Sequence, residues 1–220
     1  MTAPAHAELR RAMIETARAM SRSGLTQGTS GNLGHRVAGG FLVTPSGMDY
    51  DRLVPGDIVM MRSDGSHEGR RLPSSEWRFH RDILDARSEV EVVLHAHSMF
   101  ATTLACLGRD IPSFHYMVAV AGGDTIRCAP YATFGTEALS RHAVAALDGR
   151  KACLLANHGM IALGPDLRSA LKLALDVESL AAMYWRALQA GKPVLLDDSE
   201  MARVLKKFET YGKQPERRNG

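Results

Sequence analysis

The sequence predicts a single α/β domain in which a central sheet is flanked by helices. Three observations carry this expectation. The 220 residues are long for one domain and short for two. The composition, 45% hydrophobic and 23% charged, is that of a chain able to bury a core and far from the signature of disorder. Strand-type and helix-type runs mix irregularly, without an internal repeat or low-complexity tract, which suits one sheet covered by helices.

From Ala7 to about Met20, the apolar positions Leu9, Met13, Ala17 and Met20 recur at three- and four-residue spacing, the stripe of an amphipathic helix that ends near Gly24. Two short β-type runs follow, Leu33 to Val37 and Phe41 to Thr44, around the small-residue turn at Gly39 and Gly40, and they read as a hairpin behind a glycine-rich loop. Asp57 to Met61 is a buried-strand candidate closed by the turn pair Asp64-Gly65. Pro73-Ser74-Ser75 then reads as the opening of a helix to about Ala86, a place where phosphate is welcome. Val90 to His97 is a strand, Ser98 to Leu107 a helix, Thr125 to Tyr131 a strand and Thr136 to Leu147 a helix. Ala152 to Gly159 forms another strand. Helical periodicity returns from Leu167 to about Ala190 and from Asp198 to Phe208, separated by the breaker Gly191-Lys192-Pro193. The residues beyond about 210 are expected to form a flexible tail.

A formal net charge of +3, from 27 basic and 24 acidic residues scattered along the chain, leans toward an anionic ligand. A nucleic-acid binder would show a basic stripe interleaved with aromatics. Only Lys206 to Arg218 comes close, and that stretch reads as a solvated tail, so no nucleic-acid partner is expected. Cys106, Cys128 and Cys153 are odd in number, distant in sequence and without a C-x-x-C pair. They read as reduced core residues rather than a disulfide framework or a cysteine zinc site. Residues 1–13 lack an apolar run behind a basic start, and nowhere do about 18 apolar residues stand together, so a cytoplasmic protein with no membrane contact is expected.

His95 and His97 stand at i and i+2 in a β-branched run, which projects both imidazoles from one face of a strand. A third histidine, His158, closes the next apolar run in Asn157-His158-Gly159, where glycine lets backbone pass close to a crowded site. Three neutral imidazoles leave a fourth position open, the arrangement of a metal that meets substrate. Histidine ligation suits Zn2+, and Mn2+, Co2+ or Fe2+ would also accept it. Glu76, following two hydroxyl residues, has two readings: a first-turn acid complementing the helix dipole, or a general acid/base beside the metal.

Six ordered motifs spread over residues 25–164 then carry a resemblance: Gly28-Thr-Ser-Gly-Asn32-Leu, Thr44-Pro-Ser-Gly47, Pro73-Ser-Ser-Glu76, His95-Ala-His97, Tyr131-Ala-Thr-Phe-Gly-Thr136 and Asn157-His-Gly159. Together they resemble the class II, zinc-dependent aldolase and adducin-head family. Relatives commonly have serine at the place of Gly34. The resemblance implies a mainly antiparallel sheet and a homotetramer with active sites between subunits, with His95, His97 and His158 as metal ligands. Glu76 looks like the family's acid/base, able to approach the metal when the site is empty. Asn32, Ser46, Gly47, Ser74 and Ser75 match the loops that hold the substrate phosphate. Tyr116 resembles the tyrosine that reaches a neighbouring subunit's site, Phe134 a wall residue, and Tyr211 a C-terminal tyrosine of the pocket.

The activity so implied is reversible cleavage of a ketose 1-phosphate, of the fuculose, 5-deoxyribulose or methylthioribulose type, to dihydroxyacetone phosphate and an aldehyde. Sugar-phosphate 4-epimerases of the family carry aspartate where this chain has Glu76, which tilts the reading toward an aldolase. A decarboxylase of 3-oxo-tetronate 4-phosphate uses the same logic. An adducin-like binding module would share the fold without the ligands, all of which this chain has.

Overall fold

The computed structural model describes residues 5–210. Helix α1 (Ala7–Arg22) buries Met13, Ile14, Ala17 and Met20 along the stripe their spacing defines. The hairpin follows as β1 (Asn32–Val37) and β2 (Gly40–Val43), then the short strands β3 (Val59–Met61) and β4 (His67–Glu68) and helix α2 (Trp77–Ala86). Strand β5 (Val92–Ala96) leads into α3 (Met99–Cys106), and a 3-10 helix at Tyr116–Ala121 precedes β6 (Cys128–Ala129). The rest is α4 (Glu137–Ala146), β7 (Ala152–Leu155), β8 (Gly159–Gly164), α5 (Leu167–Ala190) and α6 (Asp198–Phe208).

The strands form one eight-stranded sheet in the order β4-β3-β2-β1-β5-β8-β7-β6. Every neighbouring pair is antiparallel except β6 with β7. Period-two alternation divides the core between its faces. Leu42, Leu94, Leu154 and Met160 point toward a cluster that includes Met13, Leu104, Val177 and Met201 of α1, α3, α5 and α6. Val43, Val93, Cys153 and Ile161 point the other way, onto Phe79 and Ile83 of α2 and Leu139 and Ala143 of α4. His95, two residues after Val93, shares its face and therefore points toward α2, where its ring meets the edge of Phe79 at 5.4 Å between centroids.

Several expectations need correction. The Pro73-Ser74-Ser75 segment does not open α2. It is paired with the hairpin through a bridge between Pro45 and Pro73, and the helix starts at Trp77. The strand at Asp57 shortens to Val59–Met61, because Asp57 ends a 3-10 turn and is spent, buried, on the guanidinium groups of Arg70 and Arg71. The strand expected over residues 125–131 keeps only Cys128 and Ala129. The single strand expected over Ala152 to Gly159 ends at Leu155, where Asn157 in the left-handed conformation (φ 56°) reverses the chain into a further strand, β8, that was not expected. Of the three cysteines only Cys153 lies in the core. Cys128 is partly buried and Cys106, at the end of α3, is exposed. The tail expectation and Tyr211 lie outside the described residues. Among the described residues, no helix is long and apolar enough to cross a membrane.

Candidate metal centre

Sheet register brings the polar residues together. Asn32 on β1 lies opposite His95 on β5, and His95 lies opposite Ile161 on β8. His97 falls one residue beyond the end of β5 rather than within it, which frees its ring to swing toward its neighbour. The β7–β8 turn carries His158 to the same end of the sheet and is tied to α3 by the Asn157 N–H donating to the Ala105 carbonyl at 3.1 Å. A Cβ on Gly159 would lie 2.4 Å from the Ala96 carbonyl oxygen and 2.9 Å from His97 Cδ2, so only glycine lets β8 start across this strand end. Gly159→Ala is therefore expected to push His97 out of position and weaken metal binding by on the order of tenfold. Metal titration of the stripped variant tests this, and unchanged affinity would show that the strand end can yield.

The ligand atoms of Glu76, His95, His97 and His158 all lie within 4.8 Å of one another. His95 Nε2 is 2.8 Å from His97 Nε2 and 3.3 Å from Glu76 Oε2, and His158 Nε2 is 3.2 Å from Glu76 Oε1. Donors around one tetrahedral ion at ~2.0–2.1 Å stand roughly 3.3 Å apart, so these spacings fit a divalent cation. The chemistry of the donors agrees. His95 Nδ1 lies 2.9 Å from the Met160 carbonyl, which takes its proton and turns the bare Nε2 toward the cluster. Glu76 Oε1 is buried without a hydrogen bond of good geometry.

Burial drives His95 down to about 3 from the ordinary 6.5, and it lowers His97 as well. Burial thus favours the neutral form of both rings, the form a ligand needs. For Glu76, burial opposes ionisation, but His95, His158 and the Asn32 amide outweigh it, so its carboxyl lies well below the usual carboxylate range. His80, also pushed down to about 3 by burial, adds a third imidazole that resists protonation. Below about pH 6.5 the unfolded chain takes up protons here that the folded chain refuses, so acid favours unfolding. The metal-stripped protein is expected to lose about 1.4 kcal/mol of stability per pH unit per buried imidazole as pH falls from 6.5 toward 4.5. Denaturant titrations across that range would check it, and a flat profile would mean that these rings protonate without unfolding.

The other expected site residues are placed unevenly. Ser74 is buried and its hydroxyl accepts from the Glu76 N–H at 3.2 Å, while Ser75, Ser46 and Gly47 are exposed on adjoining loops. The loops are laced together, Ser46 N donating to the Leu72 carbonyl and Ser74 N to that of Thr44. Phe134 is exposed beside them, since a Cβ on its neighbour Gly135 would sit 2.7 Å from the Ser75 carbonyl oxygen. Asn32 is buried, with its amide on Glu76 Oε2 at 2.9 Å. Tyr116 is not brought to the histidines within the chain. It is half-exposed and lines a separate cavity of about 800 Å³ with Phe114, His115 and α6 residues. A cavity of about 550 Å³ bordered by Gln27, Ser30, His97 and Met99 adjoins the cluster.

Two residues escaped the sequence reading. Glu178 on α5 accepts from the Ser98 hydroxyl (2.7 Å) and from the N–H groups of Phe100 and Ala101 (2.9 Å each), capping α3 directly after His97. Nothing local in the α5 pattern signals it. His80 stands one helical turn after Glu76 with Nε2 2.6 Å from Asn32 Oδ1, and its i+4 spacing from Glu76 was the available clue.

Residues 11–185 match the family described as class II aldolase and adducin N-terminal domain. The chain belongs to this family. The chain is 58% identical over 204 residues to a 5-methylthioribulose-1-phosphate/5-deoxyribulose-1-phosphate aldolase of Rhodospirillum rubrum, covering 93% of this chain and 92% of that relative. It is 48% identical to an L-fuculose phosphate aldolase of Escherichia coli over 93% of this chain and 96% of that one. A solved L-fuculose 1-phosphate aldolase superimposes with a TM-score of 0.90 at 39% identity, over 95% of this chain and all of that one, and the family fold is therefore the mainly antiparallel sheet described above.

Proposed function

We propose that this member of the family is a metal-dependent aldolase that reversibly splits a ketose 1-phosphate into dihydroxyacetone phosphate and an aldehyde. The carrying observation is the convergence of Glu76 with His95, His97 and His158 within 4.8 Å, three imidazole nitrogens and one carboxylate at the end of the sheet. Relatives named as aldolases of methylthioribulose, 5-deoxyribulose and fuculose phosphates support the reaction class.

His95, His97 and His158, with Glu76 beside them, would hold a divalent ion, Zn2+ in our reading, which would supply electrophilic stabilisation of the negative charge that develops as the carbon–carbon bond breaks. Glu76 moves the proton at the reacting carbon of the three-carbon fragment. Its burial keeps solvent from competing for that proton. The phosphate is held on the adjoining loops, by the exposed Ser46, Gly47 and Ser75 and the hydroxyl of Ser74, with the buried Asn32 behind them on Glu76. Tyr116, half-exposed and remote from its own histidines, serves the site of a neighbouring copy in a homotetramer and handles the proton of the departing aldehyde oxygen. Phe134 walls the same pocket. The reaction takes place in the cytoplasm.

The test is a coupled assay for dihydroxyacetone phosphate on Zn2+-loaded protein with methylthioribulose, 5-deoxyribulose, fuculose and rhamnulose 1-phosphates. Release that a chelator abolishes is the expected result. Silence across the panel, with carbon dioxide released from 3-oxo-tetronate 4-phosphate, would replace the aldolase by a decarboxylase.

A further inference from the structure

Behind Glu76 lies a chain of directed hydrogen bonds that ends on a residue outside the proposed chemistry. Glu76 Oε2 receives the Asn32 amide at 2.9 Å, and Asn32 Oδ1 lies 2.6 Å from Nε2 of His80, whose side chain is fully buried. A carboxylate only accepts, so the NH2 end of Asn32 must face it and the carbonyl end must face His80. The proton of His80 is thereby placed on Nε2. Its Nδ1 is then a bare acceptor, and Nδ1 is indeed buried without a partner. It faces Gly34, where a Cβ would stand 2.5 Å away, so the glycine makes room for the ring.

Resting on the reading of Glu76 as acid/base, we propose that His80 is a positioning residue that acts through Asn32 to hold Glu76 in register with the histidine cluster. It touches neither substrate nor metal ligands of the imidazole set. If His80 cannot donate, the Asn32 carbonyl is buried without a donor and the amide is free to turn over, setting oxygen against the carboxylate. The chain also gives Asn32 a task other than phosphate binding, since both ends of its side chain are engaged.

Two variants separate the donor from the ring. His80→Phe keeps the bulk and removes the N–H, whereas His80→Gln can place an amide N–H where Nε2 stood. His80→Phe is expected to retain its metal and keep KM within about twofold while kcat falls about tenfold or more, and His80→Gln to recover most of kcat. Unchanged kcat in His80→Phe, or equal loss in both variants, would overturn the proposal. Long-range proton–nitrogen NMR on metal-free protein with labelled histidine provides a readout that needs no turnover and no folded variant. The Nε2–H tautomer at His80 is expected, and the Nδ1–H tautomer would end the argument. Failure of the Glu76 reading looks different: a fully active Glu76→Gln protein would remove that role while leaving the His80 tautomer as described.

Discussion

Replacing Glu76 by glutamine is expected to lower kcat by about a hundredfold to ten-thousandfold, the range of a lost general acid/base, while much of the metal stays bound. The substitution is nearly isosteric, and the glutamine carbonyl can still accept the Asn32 amide that now reaches Oε2 at 2.9 Å. The fold therefore has little reason to move. What disappears is a carboxylate held below its usual range, a group that stays charged in a buried site and can take up a proton there. The nitrogen donors of His95, His97 and His158 are untouched, so metal content should fall only modestly. Parallel measurement of kcat and bound metal in the purified variant decides the matter, and a fully active protein would refute the assigned role.

The second large effect is expected from His97→Ala, which should lose metal and activity together. His97 is half-buried and lies just past β5, so its removal leaves the sheet ladder intact. Its Nε2 is nevertheless one of three nitrogens in the cluster, 2.8 Å from that of His95. Loss of one ligand from a three-imidazole set should weaken metal binding by about a hundredfold or more, a larger change than outer-shell substitutions cause. The melting temperature of the stripped protein should barely change. His95→Ala would be the less clean experiment, because His95 is fully buried against Phe79 and its loss also opens a cavity. Parent-like metal content in His97→Ala would remove this residue from the ligand set.

The helices and most strands were legible because their signals are local. The stripe of α1, the breaker between α5 and α6 and the small-residue turn of the first hairpin each sit within a few residues of the structure they specify. Legibility failed where a tertiary contact overrode a local signal. Pro73-Ser74-Ser75 has the look of a helix start, but the bridge to Pro45 is worth more there, so Glu76 stands at the helix boundary with its carboxylate on the histidines instead of on the helix end. Strand β8 was missed because the turn before it rests on the left-handed Asn157, and the glycine beside it, Gly159, reads equally well as the end of a strand.

By itself the sequence determined the amphipathic periods, hence the two-faced sheet with helices against it, and it contained the three histidines, the acid and the ordered motifs of the family. The tertiary structure alone decided which polar groups meet. Asn32 with Glu76, His80 with Asn32 and Ser98 with Glu178 are separated by 44, 48 and 80 residues, and each pair is aligned by strand register or by a helix packed on the sheet. Short-range periodicity says which face of an element is apolar. It carries nothing about which distant polar atom will stand opposite, because that depends on how every intervening element docks.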